Sequence, residues 1–253
     1  MDKTLAKLER YLRRQGPAVL LFSGGMDSSL LLTVAARALG ARLTALTLAG
    51  PHIVPGELAG AWHLARRLGV RHLIREIDPL VLPDFRNNTP QRCYACKRAV
   101  IQAGWQVARG QGARVLWDGT NLDDLSDFRP GLQAARELGV TSPLLDTGLG
   151  KAAIRRLSRE LGLPVRPPQS CLATRFPHYT LLSRDALARV GQGEAWLRQR
   201  GFSWVRLRLE GDAVRLELAA EEWAAFLAPE VQGPFTALAA RLGLGRFYLD
   251  RRG

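Results

Sequence analysis

Residues 18–32, Ala-Val-Leu-Leu-Phe-Ser-Gly-Gly-Met-Asp-Ser-Ser-Leu-Leu-Leu, read as a strand, a glycine turn and a helix. The apolar run Ala18 to Phe22 stops at two glycines, and leucines follow behind small polar residues. The backbone N–H groups at such a helix mouth have no partner within the helix. The helix dipole adds about half a positive charge there. Such a mouth suits a phosphate. Gly24 and Gly25 let backbone approach an anion closely, and Ser23, Ser28 and Ser29 offer hydroxyl donors. Asp27 beside a phosphate requires a cation, which makes it an expected Mg2+ contact. The plain alternative is a tight turn leading into a core helix.

Four further groups of residues have the types and spacing for chemistry. Gly119-Thr120-Asn121-Leu122-Asp123-Asp124 follows a predicted strand. Its carboxylates, Asp123 foremost, can share Mg2+ with Asp27 and the phosphates, with Gly119 and Asn121 beside the nucleotide. The alternative is a helix cap with acidic residues in the first turn. Arg92-Cys93-Tyr94-Ala95-Cys96-Lys97 spaces two thiols to chelate one metal or cluster, and Arg92, Lys97 and Arg98 favour thiolates. Two half-buried thiols are the alternative. Cys171, within Ser170-Cys171-Leu172-Ala173-Thr174-Arg175, is a nucleophile or ligand candidate beside a cation. Structural zinc and iron–sulfur clusters normally take four ligands. Cys93, Cys96 and Cys171 would leave one iron open to sulfide or substrate. Arg206 and Arg208 alternate on one strand and face one side, with Glu217 on the partner strand and Glu194 on the preceding helix. Two such arginines suit a phosphate or paired carboxylates, unless the face is simply solvated.

The elements that must position these groups alternate. Helix 2–15 presents Leu5, Leu8 and Leu12 on one face. Strands are expected at 18–22, 43–48, 71–77 and 114–118, and helices near 55–68, 91–109, 130–138 and 151–161. A proline-rich loop follows residue 77. This order predicts an α/β fold, a Rossmann-like parallel sheet with helices on both faces. Ligands bind such sheets at the carboxyl ends of the strands, where the loops after Phe22 and Trp117 lie. Pro164-Val165-Arg166-Pro167-Pro168 is a stiff linker, so the expected domains are 1–165 and 166–253. Beyond it a helix near 183–200, a hairpin turning at Glu210-Gly211-Asp212, another helix and a strand at 246–249 make a small α+β domain.

The chain has 253 residues and is 47% hydrophobic, enough for one large or two smaller domains with a sizeable core. No apolar run reaches the roughly 18 residues of a membrane span, and the start reads as an amphipathic helix rather than a signal peptide. A cytoplasmic protein is expected. The net charge of +13 suits nucleic acid, nucleotides or acidic ligands, or reflects an arginine-rich solvated surface. Three cysteines argue against a disulfide framework.

Ser23 to Ser28 resembles the pyrophosphate-loop signature Ser-Gly-Gly-x-Asp-Ser of ATP-dependent adenylating enzymes. That loop, the Cys-Tyr-Ala-Cys-Lys segment, Gly119 to Asp124, Asp127-Phe128-Arg129-Pro130-Gly131, Ser142-Pro143-Leu144, Cys171 to Arg175 and Val205 to Arg208 occur in order. Together they are similar to the LarE family of ATP-dependent sulfur transferases. The resemblance implies the adenine nucleotide α-hydrolase type of fold. It implies ATP and Mg2+, and adenylylation of pyridinium-3,5-biscarboxylic acid mononucleotide, whose carboxylates become thiocarboxylates in the nickel-pincer nucleotide cofactor of lactate racemase. Some members sacrifice the sulfur at the position of Cys171, while others keep three cysteines and hold a 4Fe-4S cluster that delivers sulfide; with Cys93, Cys96 and Cys171 this chain resembles the second type, which implies such a cluster. The resemblance implies substrate contacts from Arg175, Glu194, Arg206, Arg208 and Glu217 to this small anionic nucleotide. It also implies a homo-oligomer, often a hexamer. The chain departs from the family at Thr174, where Ser is usual, at Phe176-Pro177-His178-Tyr179, where Ile-Pro-Tyr-Gly is commoner, and in a shorter end. The rival expectations are a tRNA thiolation enzyme, for which no dedicated RNA-binding extension is seen, and a non-catalytic ATP-binding regulator.

Overall fold

A computed structural model describes residues 2–126, 130–165, 167 and 169–250. Asp127, Phe128 and Arg129 of the Asp-Phe-Arg-Pro-Gly motif, Arg166 and Pro168 of the linker, and the end at 251–253 lie outside them. The helices are α1 (Lys3–Gln15), α2 (Met26–Leu39), α3 (Glu57–Arg67), α4 (Pro83–Arg86), α5 (Arg92–Gly110), α6 (Pro130–Glu137), α7 (Pro143–Asp146), α8 (Lys151–Glu160), α9 (Arg184–Arg198), α10 (Trp223–Leu227) and α11 (Pro229–Arg241). The strands are β1 (Ala18–Leu21), β2 (Leu43–Ala49), β3 (Arg71–Glu76), β4 (Val115–Trp117), β5 (Val205–Glu210), β6 (Ala213–Leu218) and β7 (Arg246–Leu249).

The first compact unit holds a four-stranded sheet in the order β3-β2-β1-β4, with every pairing parallel. Side chains of a strand point alternately to its two faces. In β1 both faces are buried: Ala18, Leu20 and Phe22 join one core, Val19 and Leu21 the other. The first core takes Leu5, Leu8 and Leu12 of α1, the leucines of α2, Ala61 and Ala65 of α3, and Ile154 and Leu157 of α8. The second takes Ile101 and Ala108 of α5 with Ala134 and Ala135 of α6. Helices therefore cover both faces, as a parallel sheet requires. Asp2 starts α1 by accepting from the N–H groups of Thr4 and Leu5.

The second unit comprises 51–56, 80–90 and the chain from Gln169 onward. Its sheet runs β5-β6-β7. The β5–β6 hairpin is antiparallel and turns at Gly211, where φ is +60°. A parallel β7 follows by way of α10 and α11, because parallel neighbours need a crossover. The single helix expected before β7 is two, since Pro229 opens a new helix at its first position. Phe226, Phe235 and Phe247 pack edge-on at 5.2–5.8 Å.

The compact units separate after Pro168 rather than after residue 165, and two segments from earlier in the chain go with the second. Hydrogen bonds within that unit explain the second point. His52 O accepts from Leu172 N at 2.9 Å, and Arg86 O accepts from Leu182 N at 2.7 Å. The Asn88 amide donates to the carbonyls of Phe176 and Pro177 at 3.1 and 2.7 Å. Part of the expected proline-rich loop is accordingly the short helix α4.

Candidate functional site

In the first unit, pairing of β1 with β2 extends one residue past the strand, because Phe22 N donates to Leu46 O at 2.8 Å. The chain then turns through Ser23-Gly24-Gly25 into α2. Gly24 has φ of +81°, and a Cβ there would stand 3.0 Å from Ala61 Cβ and 3.3 Å from Glu57 O. Only glycine meets both the dihedral and the space. Among the described residues no side chain caps α2. Its first-turn N–H groups therefore face out of the helix mouth with the positive end of its dipole. The serines are organised inside the loop. Ser28 Oγ donates to Gly25 O at 3.1 Å and Ser29 Oγ to Gly24 O at 3.3 Å. Ser23 Oγ therefore donates to Ser28 Oγ, at 3.1 Å, because the Ser28 proton is already committed.

The loop after β4 lies against this mouth. A Cβ on Gly119 would meet Ser28 N at 3.0 Å and Ser28 Cα at 3.2 Å, both backbone atoms that cannot swing away. Asn121 is fully buried and donates from Nδ2 to Asp27 Oδ2 at 3.0 Å. Its Oδ1 accepts from Asp123 N, and Asp124 Oδ2 accepts from Asn121 N, so Asn121 and Asp124 form a capping box. Asp123 is exposed, and its Oδ2 accepts from Lys151 N at 2.6 Å, at the start of α8. The helix-cap alternative is thus realised, while Asp27, Asn121, Gly119 and Asp123 remain one connected group. Its carboxylate oxygens are hard donors of the kind Mg2+ takes.

The cysteines are thiols, in no disulfide: Cys93 exposed, Cys96 and Cys171 half-buried. Cys93 and Cys96 start α5 in the first unit, and Cys171 precedes a 3-10 turn, Leu172–Arg175, in the second. Among the described residues, no group of three or more His, Cys, Asp or Glu side chains is gathered to hold a metal ion.

In the second unit, Arg175 and Glu194 are both buried and pair through two bonds, Nε to Oε1 at 2.6 Å and Nη2 to Oε2 at 3.2 Å. Arg206 is opposite Glu217 in the hairpin register, yet the Glu217 carboxylate is taken by Arg208 Nε at 2.5 Å and approached by Arg215 Nη2 at 3.4 Å. Arg208 and Arg215 face each other directly, so Glu217 separates two like charges. The Arg206 guanidinium titrates below its ordinary value, through burial first and then the positive charges of Arg175 and Arg208. An anion at Arg206 would relieve that repulsion.

The chain is similar to known proteins. A protein-family model described as asparagine synthase matches residues 4–96, the stretch that carries the glycine loop. An uncharacterized protein of Synechocystis sp. is 34% identical over 255 residues, covering 100% of this chain and 95% of that one. An NH(3)-dependent NAD(+) synthetase of Aeropyrum pernix is 34% identical over 62% of this chain and 58% of its own. The pyridinium-3,5-bisthiocarboxylic acid mononucleotide synthase of Lactiplantibacillus plantarum is 36% identical over 200 residues, 78% of this chain and 72% of that protein. The chain belongs to the LarE family of ATP-dependent sulfur transferases.

In this LarE-family chain the structure also joins residues that the motifs did not. Asp118 directly follows β4, is 2% exposed, and accepts from Lys97 Nζ at 2.7 Å, Ser142 Oγ at 2.8 Å and Thr120 N at 3.2 Å. Burial alone would raise its carboxyl, but the Lys97 ammonium and the three donors outweigh burial and hold it below its ordinary value. The cysteine segment, the β4 loop and the Ser-Pro-Leu segment thus meet at one carboxylate. Its place at a strand's carboxyl end was the signal available in sequence. Thr47 and His72 form a second such group. Thr47 Oγ1 donates to Phe22 O at 2.6 Å and so accepts from His72 Nε2 at 2.8 Å. That hydrogen bond steadies the strand exit into the loop. No signal marked His72.

Proposed function

We propose that this LarE-family enzyme adenylylates a carboxylate of pyridinium-3,5-biscarboxylic acid mononucleotide and converts it to a thiocarboxylate, a step in making a nickel-pincer nucleotide cofactor. ATP binds with its phosphates at the mouth of α2, contacted by Ser23, Gly24, Gly25, Ser28 and Ser29, with Gly119 and Asn121 beside it. Mg2+ held by Asp27 and Asp123 would neutralise phosphate charge. A substrate carboxylate oxygen attacks the α-phosphorus, the bond to the β-phosphate breaks, and pyrophosphate leaves. AMP is then the leaving group of the acyl-adenylate. Cys171 Sγ attacks the acyl carbon and AMP departs. Release of the thiocarboxylate breaks the Cβ–Sγ bond with loss of the Cα proton, so the chain gives up one sulfur. Arg206 and Arg208 take the substrate phosphate or its second carboxylate. The family's other route is open to this chain too, since Cys93, Cys96 and Cys171 offer thiolates of the kind that hold a 4Fe-4S cluster, which would supply exchangeable sulfide.

One observation carries the reading from the family to this chain. Arg208 Nη1 donates to Thr174 O at 2.9 Å, on the turn that Cys171 opens, so the sulfur candidate and the arginines belong to one local structure. Among the described residues no helix is long and apolar enough to cross a membrane. The enzyme is proposed to act in the cytoplasm as a homo-oligomer, which light scattering checks. The functional test is ATP–pyrophosphate exchange with the dicarboxylate nucleotide, followed by intact mass after turnover. Exchange together with loss of one sulfur at Cys171 supports the sacrificial route. Brown anaerobic protein containing iron and sulfide, with no mass loss, supports the cluster route. No exchange with this acid defeats the proposal, and tight, salt-sensitive tRNA binding would redirect it.

A further inference from the structure

Four hydrogen bonds fill the Glu194 carboxylate. Oε1 accepts from Arg175 Nε at 2.6 Å and Leu207 N at 3.0 Å; Oε2 accepts from Arg175 Nη2 at 3.2 Å and Arg198 Nη2 at 2.6 Å. A carboxylate has about four acceptor sites. Glu194 is fully buried and has none to offer a substrate.

The remaining arm of Arg175 turns toward Cys171. Its Nη1 donates to Ser170 Oγ and to Thr174 Oγ1, each at 2.8 Å, and lies 3.3 Å from Ser170 O. Thr174 Oγ1 donates to Cys171 O at 2.8 Å. Its single proton is thereby committed, so in the 2.9 Å contact with Ser170 the Ser170 hydroxyl is the donor. The chain of donors runs one way, from the Arg175 guanidinium through Ser170 and Thr174 to the Cys171 carbonyl. Leu172 N and Thr174 N add bonds to His52 O and Cys171 O at 2.9 and 3.0 Å. Both neighbours of Cys171 are fastened, Ser170 by the Arg175 arm of a buried ion pair and Leu172 by the His52 carbonyl.

We propose that Arg175 and Glu194 are positioning residues for Cys171, acting through Ser170 and Thr174, rather than ligands of the substrate. This rests on Cys171 being the sulfur site. The cage fixes the turn that carries the thiol, so Sγ approaches the acyl carbon along one path. Thr174, where the family commonly has Ser, keeps the hydroxyl the chain of donors requires.

The test compares Thr174→Val with Thr174→Ser in the full-length reduced protein. Cys171 and Cys93 alkylation by iodoacetamide is followed by peptide mass spectrometry. Thr174→Val is expected to speed Cys171 labelling roughly 2- to 10-fold, the population change that loss of one hydrogen bond gives, with Cys93 unchanged. Thr174→Ser is expected to restore the wild-type rate. Equal Cys171 labelling in all three proteins overturns the proposal. Should Thr174→Val fail to fold, Ser170→Ala interrupts the same chain, is read the same way, and an unchanged rate in it overturns the proposal equally. Turnover gives a second readout: the clamp predicts a lower kcat for sulfur transfer at unchanged KM for the acid, whereas a raised KM at unchanged kcat makes the group a substrate contact. A wild type that exchanges no pyrophosphate with this acid defeats the proposed function alone, because the labelling result stands without it.

Discussion

Asn121 Nδ2 donates to Asp27 Oδ2 at 3.0 Å across 94 positions of sequence, tying the loop after β4 to the first turn of α2. The same side chain caps the 3-10 turn Leu122–Leu125, so it holds a local turn and a distant carboxylate together. Asn121→Ala is expected to cost about 1 kcal/mol from the cap, a fall in Tm of roughly 2–4 °C for a chain of this size. Pyrophosphate exchange should fall further than that stability loss explains. Asn121→Asp sets a second carboxylate against Asp27 and should gain more Tm from added Mg2+ than the wild type does. An equal Mg2+ response in calorimetry argues against Asp27 as a cation ligand.

Gly119 touches Ser28 through backbone, and Gly24 combines φ of +81° with a close approach to α3. Gly119→Ala and Gly24→Ala should therefore distort the helix mouth and abolish pyrophosphate exchange. Gly40 also has a positive φ, +55°, but a Cβ there meets nothing within 4 Å. Gly40→Ala should carry the left-handed backbone cost of about 1–2 kcal/mol and leave exchange intact. Exchange lost equally in all three variants would show that the assay follows stability, not loop shape.

Asp118 is buried against Lys97 and titrates below its ordinary 3.8. A depressed carboxyl contributes stability that is present above the unfolded-state value and is lost as pH falls through the folded-state value. In Lys97→Met the ammonium no longer opposes burial and the folded-state value moves up, so less stability should be lost as pH falls, and the loss should end at a higher pH. The variant should be weaker by roughly 1.5–3 kcal/mol near neutrality, the worth of a hydrogen bond to a charged group. Urea unfolding between about pH 3 and pH 7 reads both effects, and parallel curves for the two proteins contradict the assignment.

His72 titrates below its ordinary 6.5 because it is partly buried. Its Nδ1 has no hydrogen-bond partner among the described residues, so protonation would place a buried donor without an acceptor. The unfolded chain takes up the proton first. Stability is therefore expected to fall as pH drops below about 6.5 and to level off below the folded-state value. His72→Gln should flatten this slope in thermal unfolding, and an unchanged slope points to another group.

Much of the fold is legible from local pattern. Ala18 to Phe22 is a continuous apolar run, as a strand buried on both faces must be, and Leu5, Leu8 and Leu12 recur at helical spacing. Val205 to Leu218 alternates around Gly211 and folds as the expected hairpin. These features depend on neighbours a few residues apart, so the sequence shows them directly. Lys97 and Asp118 carry no such period. Their pairing spans 21 positions, and β1 with α5 packed beside it brings them together.

By itself the sequence determined the order of the strands and of most of the long helices, the glycine turn that opens α2, and the set of thiols and arginines available for chemistry. Only the tertiary structure decided how those groups are used. It gave 51–56 and 80–90 to the second unit, turned Asp123 onto the start of α8, and closed Glu194 within four hydrogen bonds around Arg175. The physical reason is that propensity and periodicity act over a few residues. A buried polar atom must find a partner wherever the folded chain supplies one.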